Sequence, residues 1–205
     1  QGTLAAFAPT LSRLREQVRM AIQPGDVIVF FGAGDITQVA HQVAIDLAVE
    51  SVPTVEALSA LLSSNSLVCA DEPMAKRTTL RVGGSADFFV EPASESDLAK
   101  VLKFCVAREL PWLMLGRGSN LLVRDGGIRG VVISLTHELF TRLEKRDDRL
   151  FAGAGVRLKT LTNEARDAGL AGLEFLEGIP GSLGGALRMN AGAMGSTVFD
   201  VVESI

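Results

Sequence analysis

Leu11, Leu14, Val18 and Ile22 recur at intervals of three and four, which predicts an amphipathic helix with Thr10 as its N-cap. Pro24-Gly25-Asp26 breaks that pattern, and the unbroken apolar run Val27 to Phe31 predicts a buried strand. Gly32-Ala33-Gly34-Asp35 then turns the chain into a second helix, marked by Ile36, Val39, Ala40, Val43 and Leu47. The result is a helix–strand–helix piece of an α/β sheet, and at fewer than about 50 ordered residues it is too small for a core of its own. Residues 51–77 carry one short helical stretch, Thr54 to Leu62, followed by Ser63-Ser64-Asn65-Ser66, and read as a linker.

From Thr78 the pattern changes. Arg81-Val82-Gly83-Gly84-Ser85 predicts a turn between two short strands. Ser94-Glu95-Ser96-Asp97 fits a capping box, with Leu98, Val101, Leu102 and Cys105 on one face of the helix that follows. Pro111 ends that region, and Trp112 to Leu115 predicts a strand running into Gly116. Asp125-Gly126-Gly127 signals a turn, and Val131 to Leu135 another strand. The charged stretch Glu144 to Arg149 reads as a solvated hairpin tip, Phe151 to Gly155 as strand, and Leu158 to Ala168 as a helix closed by Gly169.

Glycine follows the same division, with only four of the 21 glycines before Asp71. The 205 residues are 47% hydrophobic and 5% aromatic with no tyrosine, which suits aliphatic helices on sheets. A net charge of −4 gives no support for a nucleic-acid or membrane-surface partner. The longest apolar runs are too short to span a bilayer, and no secretory pattern opens the chain. Cys69 and Cys105 stand apart with no histidine spacing nearby, so they read as reduced structural thiols of a cytoplasmic protein, not as metal ligands. No metal site is expected. The chain opens on Gln1 and stops at Ile205 inside an apolar run, so it is expected to be a piece of a longer protein.

Three glycine clusters are candidates for chemistry. Gly32-Ala33-Gly34 has the strand-to-helix context of a dinucleotide loop, but Thr37 occupies the third glycine slot and a tight turn is favoured. In Leu115-Gly116-Arg117-Gly118-Ser119-Asn120-Leu121 the third glycine is also missing, replaced by Leu121. Yet its backbone N–H groups could converge on an anion as a nest, with Ser119 and Asn120 as side-chain donors and Arg117 as a charge. By itself this loop reads equally as a phosphate site or an ordinary strand end. The segment Glu177 to Ala186 and then Met189 to Gly195 mixes glycine, alanine and serine with Ile179, Leu183 and Leu187. Such a packed small-residue segment suits either a planar cofactor or close helix–strand packing.

In combination these stretches are more specific. Thr78 to Ala86, Leu115 to Val123, Gly172 to Phe175 with Gly178 to Ser182, and Met189 to Ala193 together resemble the UDP-N-acetylenolpyruvoylglucosamine reductase (MurB) family over roughly residues 65–205. The resemblance implies an α+β, two-lobed FAD-binding domain of the vanillyl-alcohol-oxidase (PCMH) type over residues 78–205, incomplete at its C-terminal end. It implies FAD as cofactor, NADPH as reductant, a UDP-sugar substrate, and hydride passed by way of the flavin to the enolpyruvyl double bond, a step of peptidoglycan precursor synthesis. By the resemblance, Leu115, Gly116, Arg117, Gly118, Ser119, Asn120 and Leu121 wrap the FAD diphosphate. Gly178, Ile179, Pro180, Gly181, Ser182, Gly184, Gly185, Asn190, Gly192 and Ala193 line the flavin and its linker.

Met194 departs from the family, where a ring is common, and Arg117 sits at a variable position. The family's catalytic arginine, proton donor and late glutamate are expected downstream of Ile205. No residue here is assigned catalysis, and Ser119, Ser182 and Glu177 are placed at the cofactor. Residues 8–50 resemble, over a shorter stretch, the C-terminal end of UDP-N-acetylmuramate–L-alanine ligase. That implies a ligase remnant over 1–50, with the adjacent ligase domain in a parent fusion and Gly32 and Gly34 structural. Two alternatives are an FAD oxidase or dehydrogenase acting on another alcohol or sugar, and an inactive binding fragment. His41, Cys69, Cys105 and His137 lie outside the glycine clusters, which argues against the covalent flavin attachment of many such oxidases.

Overall fold

The computed structural model describes residues 8–22, 26–30, 35–51 and 55–205, and the chain divides into two compact units, Gln1–Pro53 and Thr54–Ile205. In the first unit, helix α1 (Leu11–Ala21) starts at Thr10, whose hydroxyl accepts from the Arg13 N–H at 3.2 Å. It packs on helix α2 (Ile36–Ser51), where Val39 and Val43 are buried. The expected strand at 27–31 is corrected: residues 26–30 are irregular, and Val27 is 88% exposed. An apolar run becomes a buried strand only where sheet neighbours complete its hydrogen bonds and cover its faces. The described residues of this unit offer no such neighbour. The expected turn at Gly32 and Gly34 lies outside the described residues.

The second unit is built on a four-stranded sheet of β1 (Leu67–Pro73), β2 (Ser85–Glu91), β3 (Trp112–Leu115) and β4 (Ile128–Ser134), in the order β1-β2-β4-β3. β1 runs antiparallel to β2, while the β2–β4 and β3–β4 pairs are parallel. The expected linker at 51–77 is therefore corrected over most of its length. Residues 55–77 contribute helix α3 (Val55–Leu61), the edge strand β1 and a 3-10 turn at Met74–Lys76. Leu58 and Met74 are fully buried, one on each side of the sheet.

Alternation along the central strands fills both faces. Val90, Val131 and Ile133 join Leu58 of α3 and Val101, Phe104 and Cys105 of helix α4 (Glu95–Ala107). On the opposite face Phe89 and Val132 meet Met74, Leu115 and Val123. Burial pushes the Cys105 thiol up from its ordinary value, as expected of a structural cysteine. The capping box at Ser94 is half formed. Ser94 Oγ accepts from the Asp97 N–H at 3.0 Å, but the return bond from the Ser94 N–H to the Asp97 carboxylate is not made. The carboxylate accepts instead from Ser63 N (3.2 Å), Ser63 Oγ (2.7 Å), Ser66 Oγ (3.1 Å) and Lys100 Nζ (3.3 Å). The start of α4 is thereby tied to the α3–β1 connection.

β3 and β4 are parallel neighbours joined without a helix, so residues 116–127 must travel back along the sheet before β4 can begin. That return is the loop bearing Gly116 and Gly118. Beyond β4, hairpin β5 (Leu143–Arg146) and β6 (Arg149–Ala152) turns at 147–148, where the charged tip is expected. Helix α5 (Leu158–Asp167) buries Leu158, Leu161, Thr162 and Ala165 at helical spacing and ends at Gly169. A 3-10 turn (Glu174–Leu176) and helix α6 (Leu183–Met189) close a third core with Val156, Phe175, Leu176 and Ala186. The last elements are the two-residue strands β7 (Gly192–Ala193) and β8 (Ser196–Thr197).

Candidate functional site

The structure brings two of the three glycine clusters together. Ser119 Oγ donates to Pro180 O at 2.7 Å, and the return loop lies against the segment leading into α6. A Cβ on Gly116 would stand 2.7 Å from Ser182 Oγ, so a side chain there would have to displace the Ser182 hydroxyl. Gly181 faces Ser119 Oγ at 3.8 Å on the same criterion. The Thr78–Thr79 stretch closes the loop from the other side, with Thr79 N–H donating to Gly118 O at 3.1 Å. Thr78 is buried, and among the described residues its hydroxyl has no hydrogen-bond partner.

Backbone donors are the main chemical feature of this loop. The N–H groups of Gly116, Arg117, Gly118, Ser119 and Asn120 donate to no acceptor among the described residues. Backbone N–H groups in folded proteins are almost always paired, to protein or to water. Five consecutive N–H groups without a protein acceptor, three of them on exposed residues, leave the main chain of this loop able to donate to water or to an anion.

Other expected contacts need restating by position. The Ser119 hydroxyl hydrogen is already committed to Pro180 O, so this side chain acts first as a clasp between the two segments. Ser119→Ala is expected to lower stability by about 1 kcal/mol. A thermal unfolding curve that superimposes on the wild type would show that the clasp holds nothing. Ile179 N–H donates to Leu176 O and Gly184 N–H to Ala154 O, so neither backbone donor is available to a ligand. Gly184 packs against Ala154, and Gly192 against Ser196 and Thr197. Asn190 is left-handed at the end of α6 (φ 44°), and its Oδ1 accepts from the Phe199 N–H at 3.2 Å. Met194 is 91% exposed, and Leu115 and Ser182 are buried. Gly178, Pro180, Gly185 and Asn120 are exposed, while Leu121, Ile179 and Ala193 are half-buried.

Sequence reasoning missed one group of residues. A cavity of about 410 Å³ is bounded by Arg117 together with Thr136, Thr141, Arg157 and Thr160. Arg157 is the N-cap of α5 and Thr160 lies in its first turn, which holds no acidic residue. These polar positions are scattered and exposed, and no motif links them. An arginine at a helix start without a compensating acid was the one available signal.

A family described as "FAD binding domain" matches residues 86–205, more than half of the chain. The chain belongs to that family. This FAD-binding domain is 54% identical over 139 residues to the UDP-N-acetylenolpyruvoylglucosamine reductase of Geobacter sulfurreducens, a match covering 67% of the chain and 46% of the relative. The corresponding protein of Staphylococcus aureus (strain Newman) is 43% identical over 142 residues, covering 69% and 46%. Among solved structures, the UDP-N-acetylenolpyruvylglucosamine reductase (MurB) of Thermus caldophilus matches with a TM-score of 0.53 and 37% identity, covering 65% of this chain and 45% of that one. The chain thus spans less than half the length of the curated relatives it matches. Its α+β architecture is that of an FAD-binding fold.

Proposed function

We propose that this chain is the FAD-binding part of a reductase that converts UDP-N-acetylenolpyruvoylglucosamine to UDP-N-acetylmuramate with NADPH. The run of unpaired N–H groups from Gly116 to Asn120 carries the reading, because it supplies what a flavin nucleotide's diphosphate requires. The named relatives, at 43–54% identity, support the choice of reaction. Bound FAD would supply hydride transfer. The chain's own part is to grip the diphosphate at 116–120, set the Gly178–Gly185 segment beside it through the Ser119–Pro180 clasp, and leave the flavin's reacting face to other residues. Leu115 and Leu121 anchor the loop into the sheet core, and Asn190, Gly192 and Ala193 follow the end of α6.

The first unit is read as the tail of a UDP-N-acetylmuramate–L-alanine ligase, which supplies the adjacent ligase domain in a parent fusion. Its independent compaction supports that reading. Among the described residues no helix is long and apolar enough to cross a membrane, and we place the protein in the cytoplasm.

Titration of FAD against the purified chain tests the central claim. Saturable quenching of flavin fluorescence is expected, with riboflavin, which lacks the diphosphate, binding at least about tenfold more weakly. A folded chain that binds neither, or binds both equally, would overturn the assignment of the loop.

A further inference from the structure

The cavity beside the return loop holds two cations and no counter-ion. Arg117 reaches it from the loop and Arg157 from the start of α5, and Thr136 and Thr160 line the same space. Among the described residues neither guanidinium meets a carboxylate or an aromatic ring, although other arginines here do, such as Arg77 with Glu72 and Glu91. Two guanidinium groups bordering one concavity, with no acidic residue among its lining, favour an anion there. The hydroxyls of Thr136 and Thr160 make no hydrogen bond to the described residues and can donate to such an anion. At about 410 Å³ the space exceeds what a single inorganic phosphate needs and falls within the range of small-ligand pockets.

We propose that Arg117 and Arg157 form a two-arginine clamp for a nucleoside diphosphate, with Thr136 and Thr160 as neutral donors. The clamp extends the FAD reading by adding Arg157, Thr136 and Thr160 to the backbone donors at 116–120. Arginine suits the role because its planar fork can give two parallel hydrogen bonds to one phosphate. The same chemistry could be met by the ADP half of FAD or by the diphosphate of a UDP-sugar, and binding experiments can tell these apart.

The test is calorimetric titration of ADP, UDP, FAD and riboflavin against the wild type, Arg117→Gln, Arg157→Gln and the double variant. Lys103→Gln, which removes an exposed charge on α4, is the control. None of the variants should melt below the wild type, since no contact of either arginine is lost. The double variant is expected to weaken FAD and ADP about tenfold or more, with riboflavin and the control unchanged. Wild-type affinity for ADP should fall with added salt more steeply than that of the double variant. If UDP is the ligand weakened and ADP is not, the clamp stands and belongs to the UDP-sugar. Equal diphosphate affinities for wild type and double variant would sink the clamp while leaving FAD binding by the loop intact. A wild type that binds FAD but neither free diphosphate, with FAD unaffected in the double variant, sinks it equally. Loss of riboflavin binding in step with FAD would also overturn it, since riboflavin carries no phosphate to clamp.

Discussion

Gly118→Val is expected to cost about 4 kcal/mol of stability in the second unit and to abolish FAD binding. Two separate penalties add. Gly118 has φ +62°, the left-handed region, where a β-branched residue is strained by about 1–2 kcal/mol or more. A side chain there would also run into Arg77 O and stand 2.8 Å from Thr78 Cα. Both are backbone atoms, and they cannot withdraw easily. Arg77 is held by Glu72 at 2.8 Å and Glu91 at 3.1 Å, and its guanidinium lies 4.2 Å over the ring of the fully buried Phe89. Chemical denaturation would show the loss as a lower midpoint. A midpoint near the wild-type value, with FAD still bound, would mean the loop can move without cost, and the preformed donor nest would go with it.

Asp97→Ala is expected to cost about 3 kcal/mol, by removing a carboxylate that accepts four hydrogen bonds at a site only 1% exposed. Its pH dependence is distinctive. The Ser63 hydroxyl, helped by Ser94, Lys100 and the Ser63 N–H, holds the Asp97 carboxyl well below the usual carboxylate range, against burial that raises it. A group whose folded value is depressed adds stability that is fully present above its unfolded value, about 4, and drains away as pH falls below that. Urea midpoints measured from neutral pH down through the acid range should therefore fall more steeply for the wild type than for Asp97→Ala. Parallel curves would show that Asp97 contributes no proton-linked stability. Asp97→Asn keeps the shape without the charge, so its midpoints should run parallel to those of Asp97→Ala, at a higher level.

These two residues also mark how far the sequence could be read. Local signals were clear: Thr10 and Ser94 cap their helices, Gly169 follows the end of α5, and the charged tip turns between β5 and β6. The glycine clusters at 115–121 and 178–185 were recognisable as a pair, and they are neighbours in space. β1 was not legible. Its half-exposed residues lack clean alternation, Asp71 is left-handed within it, and its place depends on pairing with a strand twelve or more residues away. Val27 to Phe30 failed in the opposite way, since a strong apolar run says nothing about whether a sheet is present to receive it. Individual ligand contacts were the least legible. Whether the Gly184 N–H faces a cofactor or Ala154 O depends on a fold that brings residues thirty apart together. Arg157 and Thr160 reach the cavity with Arg117 only through the packing of α5.

The tie between Asp97 and the serines at 63 and 66 bears on where this domain can be cut. The glycine motifs begin at Thr78, and a recombinant piece started there would look complete. It would lack β1, however, leaving the β2 edge open to pairing with other chains. It would also lose Leu58 and Met74 from the two faces of the sheet and leave the Asp97 carboxylate without its serine donors. Cut at Thr78, the piece should aggregate; cut at Thr54, it keeps its edge strand, both faces of its core and its buried acid satisfied.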